Sequence, residues 1–338
     1  MHFGLSSEQV LLQDSLTQFL RDRVPLTRVR QFADAGQARA DDVLAGLTEL
    51  GIPGLLIAPE HGGVGLGLLD ACVVAEALGY HVAPVAFTAS HVIAPLALQA
   101  AGSPAQQAGW LPRIAAGQAL LGAALSELTG ARGDAGVRLT SGRLHGRSLH
   151  VLDAEADAYL VADAHAGLHL VAADAPGLTR RRLEIVDRTR PLGELVFDAV
   201  PAEPLPGSTP AITQRVLDAG RIVLAADALE ASPCMLDQAV AYANQREQFG
   251  RVIGSFQAVK HLCADMAAAI EPTRAFVWYA GHAFDTNPAD ATLPGCHLKA
   301  HLSQVGKQVA KSATEVHGGM GFTDLLGLHY WFKRIGYD

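Results

Sequence analysis

The sequence is poor in the groups that would mark a secreted, nucleic-acid-binding or membrane-spanning protein. It has four cysteines, Cys72, Cys234, Cys263 and Cys296, and no two of them form a C-x-x-C pair. Scattered thiols of this kind exclude a disulfide framework and suit a reducing compartment. Charged residues make up only 18% of the 338, with a formal net charge of −8 and no long basic run. Binding nucleic acid would therefore work against the overall field. No uninterrupted apolar stretch reaches the roughly 18 residues of a membrane span. The opening "MHFGLSSEQVLLQDS" has no basic region followed by an apolar one, so no secretory signal is expected. These absences predict a soluble cytoplasmic protein that spans no membrane and binds no nucleic acid. What is present is a 49% apolar composition, which folds rather than staying disordered, in a chain long enough for two or three domains.

The pattern along the chain changes twice. Residues 1–118 read as helical: Ser6 or Ser7 is placed to cap a helix carrying Val10, Leu11, Phe19 and Leu20, and "LLDACVVAEALGY" and "FTASHVIAPLALQAAG" continue the pattern. Residues 119–206 hold short runs such as "GRLHGRSLHVL", "DAYLVAD", "LHLVAAD" and "ELVFDAV", bounded by Gly, Asp or Pro, as expected of an antiparallel sheet or small barrel. "AEPLPGSTP" (202–210) reads as a linker. Residues 207–338 return to long helices. Ile212, Val216, Ala226 and Leu229 recur at helical spacing, as do Phe256, Val259, Cys263, Met266 and Ile270, and a further helix is expected over 294–313. This helical, strand-rich, helical order excludes a simple alternating βαβ sheet.

Few local motifs carry chemistry. "HGGVGLG" (61–67) lacks the G-x-G-x-x-G register and lies between helices, so it reads as a connecting loop. His297 and His301 share a helix face, but Leu298 breaks any H-E-x-x-H and no third ligand is evident, so no metal is expected. The turn at 246–250 is more informative. Arg246 offers a fork of donors suited to phosphate oxygens, Phe249 offers a face for an adenine or ribose, and Gly250 allows a tight turn. Gln257 follows beside an apolar stripe, and Gly318 and Gly319 leave backbone open to a ligand. Two readings fit the turn, a nucleotide clamp and a plain helix connector.

Three segments in order resemble the acyl-CoA dehydrogenase family over nearly the whole chain: "PEHGGVGLGLLDACVVAEALGY", "REQFGRVIGSFQAVKHLCADM" and "EVHGGMGFTD". The resemblance implies an α+β fold with an N-terminal helical domain (1–118), a middle antiparallel β-barrel (119–206) and a C-terminal four-helix bundle (207–338). It implies FAD as cofactor and an acyl-CoA thioester as substrate, desaturated to the trans-2-enoyl product, with electron-transfer flavoprotein as acceptor. General-base removal of the α-proton accompanies hydride loss to the flavin. Carried over position by position, Arg246, Gln248, Phe249, Phe256, Gln257, Glu315, Gly318 and Gly319 fall where the family holds the adenosine diphosphate of FAD. In the family those contacts reach into a neighbouring subunit. Asp218 and Arg221 fall where it meets the CoA part of the substrate.

The departures are as telling. One family position for the catalytic glutamate, counted back from Arg246, is Gly220, and the other falls beyond Asp338, so no catalytic residue is assigned. The ring-binding segment reads "LSELTGARGDAGV" (125–137) and the strand that packs on the ring reads "RSLHVLDA" (147–154), without its aromatic platform or hydroxyl donor. Glu315 replaces a glutamine near the pyrophosphate and adds like charge there. The chain therefore resembles the short, degenerate subunit of bacterial α2β2 heterotetrameric acyl-CoA dehydrogenases, several of which act on steroid side-chain thioesters. That resemblance implies a homologous partner subunit carrying the flavin ring pocket and the base. Two other readings stand beside it: a self-sufficient homotetramer using Asp218 or Glu230 as base, and a non-catalytic scaffold subunit.

Overall fold

The structure, a computed structural model, describes residues 4–37, 39–130 and 132–338. Helices come first: α1 (Ser7–Arg23), α2 (Leu26–Asp34), α3 (Asp41–Glu49), α4 (Leu68–Tyr80), α5 (Ala94–Ala101) and α6 (Pro104–Ala115). Strands follow: β1 (Leu121–Ala124), β2 (Gly136–Thr140), β3 (Arg143–Leu152), β4 (Ala158–Ala162), β5 (Leu168–Ala172), β6 (Leu178–Arg182), β7 (Leu192–Pro201) and β8 (Glu203–Pro204). Long helices close the chain: α7 (Pro210–Gln245), α8 (Gln257–Thr286), α9 (Thr292–His317) and α10 (His329–Tyr337). A two-stranded hairpin, β9 (Glu247–Gln248) with β10 (Arg251–Val252), joins α7 to α8. The order is helical, strand-rich, helical, as the sequence predicts.

Local chemistry explains the boundaries. Ser6 caps α1 and Ser103 caps α6, each in a reciprocal box with the glutamine three residues on, Gln9 and Gln106. The expected strand runs become β3, β4, β5 and β7. The helix expected over 294–313 is longer, Thr292–His317, and ends where Gly318 turns to φ 57°.

Contacts gather the chain into two compact units. One comprises residues 36–71 and 84–220. Its strands form one sheet in the order β6-β7-β3-β1-β4-β5-β8, with β2 paired to β3. Every pairing is antiparallel except β1 with β4, where Leu121 faces Ala158 and Ala124 faces Val161. The antiparallel barrel read from the sequence is thus a curled, mixed sheet. The β2–β3 hairpin intervenes between β1 and β4 and returns the chain in the same direction, the crossover that a parallel pair requires. All five residues of β4 are buried, and they divide by the strand period of two. Ala158, Leu160 and Ala162 face one apolar cluster with Leu98, Leu111, Ile114 and Val216, while Tyr159 and Val161 face another with Leu144, Val151, Leu195 and Phe197.

The other unit comprises residues up to 35, 72–83 and 221–338. The short 287–291 connection makes α8 and α9 antiparallel neighbours. The buried stripe of α8 runs through Met266, Ile270, Thr273, Val277 and Phe284, so the apolar stripe read from the sequence continues further toward its end. Val259 and Cys263, expected in that stripe, are only half-buried. A wholly buried ion pair, Arg334 Nη1 to Asp227 Oδ1 at 3.2 Å, ties α10 to α7. Where α4 crosses α7, a Cβ on Gly79 would lie 2.0 Å from the Asp227 carbonyl oxygen, so only glycine allows that approach. Among the described residues no helix is long and apolar enough to cross a membrane.

Candidate nucleotide and acyl site

The 246–257 turn is a hairpin built to project side chains outward. Arg246 N–H closes onto the Tyr242 carbonyl at 2.8 Å, and Ile253 N–H returns to the Arg246 carbonyl at 2.8 Å. Phe249 and Gly250 both take left-handed backbone, at φ 56° and 73°, which makes the two-residue tip of the β9–β10 hairpin. Phe249 adopts it without the freedom of glycine, at a cost of about 1–2 kcal/mol. Its ring is 92% exposed and meets Phe256 edge-on at 6.1 Å. The Arg251 guanidinium lies over the Phe256 ring at 4.0 Å, a contact the sequence reading missed because nothing in spacing singles out that arginine.

The other expected contacts gather at the same end of the helices. Phe256 precedes α8 with extended backbone, and no side chain caps that helix, so its first N–H groups stay open. Gln257 is exposed at the start of α8 and bonds His261 at 2.9 Å. Tyr242 stacks on His317 at 4.7 Å, which sets the end of α7 against the end of α9. Beyond His317, Gly318 turns at φ 57°, and neither Gly318 nor Gly319 has a neighbour within 4 Å of where a Cβ would stand. Arg246, Gln248, Glu315, Gly318 and Gly319 are all exposed. Among the described residues none pairs with the Arg246 guanidinium. An uncommitted arginine, an aromatic face, open helix N–H groups and bare glycine backbone fit the nucleotide end of a dinucleotide.

The residues expected around a flavin ring do not fit it. Ser126 donates its hydroxyl to the Leu149 carbonyl, Thr129 to the Ser126 carbonyl at 2.7 Å, and Ser148 to Glu127 at 2.6 Å. Glu127 also accepts Leu149 N–H at 2.6 Å. These hydroxyls are spent within the chain. The only ring in 147–154, His150, lies against Arg132.

The position counted for a base is equally closed. Gly220 lies in α7, and a Cβ there would come 3.0 Å from Ile93 Cδ1. Ile93 ends a π-helical turn, Thr88–Ile93, which the sequence does not announce. Asp218 is 2% exposed and accepts from Gln214 Nε2 at 2.9 Å. Arg221 is half-buried one turn further on. Glu230 is paired to Arg274. Neither Asp218 nor Glu230 stands as an open carboxylate. His297 and His301 are exposed on α9, and His301 shares a 3.3 Å contact with Thr273 Oγ1. No group of three or more His, Cys, Asp or Glu among the described residues is arranged to hold a metal ion.

Residues 6–118 match the N-terminal domain, and residues 210–337 the C-terminal domain, of acyl-CoA dehydrogenases. A relative, acyl-CoA dehydrogenase IpdE2 of Mycobacterium tuberculosis, is 33% identical over 294 residues, spanning 85% of this chain and 77% of its own length. The chain belongs to the acyl-CoA dehydrogenase family. Members of this family are oxidoreductases that use FAD. Among solved structures, the Tcur3481–Tcur3483 steroid acyl-CoA dehydrogenase is 31% identical with a TM-score of 0.87, over 97% of this chain and 91% of that one. The ChsE4–ChsE5 complex of Mycobacterium tuberculosis is 26% identical with a TM-score of 0.92, over 100% of this chain and 93% of that one. The acryloyl-CoA reductase (NADH) of Anaerotignum propionicum is 28% identical over 348 residues, 95% of this chain and 87% of its own length.

Proposed function

We propose that this chain is the nucleotide-holding subunit of a heteromeric acyl-CoA dehydrogenase that introduces a trans-2 double bond into a bulky acyl-CoA thioester, of the steroid side-chain class. A homologous partner supplies the flavin ring pocket and the carboxylate that takes the α-proton, in an α2β2 assembly with electron-transfer flavoprotein as electron acceptor. FAD, when bound, supplies the hydride-accepting chemistry.

The observation that carries this reading is Gly220: the position of the family's base has no side chain, and Ile93 stands against it. The outward-facing residues support the complementary half. Arg246 and Gln248 donate to phosphate oxygens, Phe249 and Phe256 offer a surface for the adenine, and Gly318–Gly319 lets backbone approach the pyrophosphate. Glu315 lies one turn before these glycines. Its like charge sets the depth at which a pyrophosphate settles. Asp218 and Arg221 mark the side of α7 that meets the CoA moiety. The steroid class comes from likeness to the Tcur3481–Tcur3483 complex, and heteromery from that complex and ChsE4–ChsE5.

The deciding experiment compares two variants in the complex with the partner. Arg246→Ala loses about tenfold or more in flavin affinity, the order of a lost charge-assisted phosphate contact. Gly220→Ala leaves flavin content and turnover near wild type, because no chemistry occurs there. Unchanged flavin content in Arg246→Ala would favour the scaffold reading instead.

A further inference from the structure

A second cluster of titratable groups lies away from the nucleotide site, where α4, α7 and α8 meet. Glu76 on α4 has no exposed surface. One of its carboxyl oxygens, Oε1, accepts the indole N–H of Trp278 on α8 at 3.0 Å. The other, Oε2, is buried without any hydrogen-bond partner. Glu230 on α7 stands near it and is already paired to Arg274 on α8, with side-chain exposures of 13% and 25%. A buried and a half-buried carboxyl group thus share one arginine, and that arginine is committed to Glu230.

The wider surroundings add negative charge. Asp237 on α7, which accepts the Tyr80 hydroxyl at 3.0 Å, and Glu271 on α8 both act on Glu230. The Cys234 thiol on α7 is held neutral by burial, which pushes it up to about 12. Burial and the Glu230 charge outweigh Arg274 and Trp278 at Glu76, whose carboxyl is pushed up to about 8. A lone dry oxygen explains why in structural terms. An ionised carboxylate needs several donors, and Trp278 supplies one.

We propose that Glu76 is a proton-gated latch: neutral, it lets α4 pack dry against α7 and α8 while accepting the Trp278 N–H, and on losing its proton it puts an uncompensated charge between them that loosens the three-helix contact. The loss places an extra negative charge beside Glu230 with no cation left to meet it. α7 and α8 are the two stems of the 246–256 hairpin, so the latch sits in the frame that holds that hairpin. The inference itself depends only on the cluster and stands whether or not the hairpin grips a nucleotide.

The sign of the effect follows from linkage. The folded chain binds a proton at Glu76 that the unfolded chain releases at ordinary carboxylate values. Stability therefore falls as pH rises through that window toward about 8, and the contribution is level above it. The test is denaturant unfolding of the full chain, wild type against Glu76→Gln, together with Trp278 emission from about pH 6 to about pH 10. The ratio of wild-type to variant folding constants should drop by about tenfold per pH unit below the midpoint and flatten above it. Trp278 emission, taken as the difference between wild type and Trp278→Phe, should titrate with the same midpoint, and that titration should vanish in Glu76→Gln. If Glu76→Gln fails to fold, the wild type and Trp278→Phe pair still decides. A flat Trp278 signal across the range overturns the latch, as does a titration that persists in Glu76→Gln.

Discussion

Phe249 is the residue where local conformation and proposed role are most tightly joined. Its ring is almost wholly exposed and its backbone is left-handed, so the fold gains little from the side chain. Phe249→Gly relieves strain of about 1–2 kcal/mol while losing some unfolded-state restriction, and the net effect on stability should lie between zero and about +1 kcal/mol. The same change should weaken flavin binding in the complex. A calorimetric scan beside a flavin titration checks both halves, and a large loss of stability would show that the ring packs on something within the chain. His91 makes a different point. It is buried with both ring nitrogens unpartnered, and burial pulls its value down to about 3. Its neutral form is favoured in the fold, so its contribution is present above about 6.5 and is lost as pH falls toward about 3. His91→Leu removes two unsatisfied atoms at similar volume. Its melting temperature should exceed wild type, with the margin widening as pH drops from about 7 to about 5. A margin independent of pH would place the proton elsewhere; Asp153, pushed up to about 6 by burial, works in the opposite direction and is common to both proteins.

At the scale of elements, two approaches define how helices meet in the unit holding α7, α8 and α9. Gly79→Ala forces a methyl onto the Asp227 carbonyl, where backbone cannot yield cheaply, and should cost about 1–3 kcal/mol or more. Arg334→Met takes from the buried Asp227 carboxylate its ion-pair partner, for an expected loss of about 3–5 kcal/mol. Pairing that change with Asp227→Leu should recover much of it, because the apolar pair no longer carries an isolated charge. Denaturant unfolding of the two singles and the double measures the coupling. Equal losses in the single and double variants would mean that packing, not charge, is at stake.

These elements also mark what the sequence made legible. Apolar spacing announced α1, α7 and α8, with a capping serine at α1, and the Arg-x-x-Phe-Gly segment announced a turn between α7 and α8 that the fold makes a two-stranded hairpin. The parallel β1/β4 pairing was hidden, because each run alternates the same way whichever direction its neighbour takes. The π-turn at Thr88–Ile93 was hidden too, since its composition is that of an ordinary helix. So was the approach of Ile93 to Gly220, a contact between segments far apart in the chain. Counting from Arg246 led to Gly220 as the expected place of the base, and only the fold shows Ile93 against that glycine.

At the scale of the whole molecule, the proposed function gives this chain only part of its family's work. Arg246, Phe249, Gly318 and Gly319 face outward, while the Ser126, Thr129 and Ser148 hydroxyls are spent within the chain and Ile93 stands against Gly220. The central claim is that the cofactor's reactive end belongs to a partner. The most direct measurement is the flavin-to-polypeptide ratio of the purified chain alone and of its co-expressed complex with a homologous dehydrogenase subunit. The account predicts essentially no flavin and no turnover for the chain alone, and one flavin for every two chains in an active complex. A yellow homo-oligomer with one flavin per chain and dehydrogenase activity of its own would contradict it.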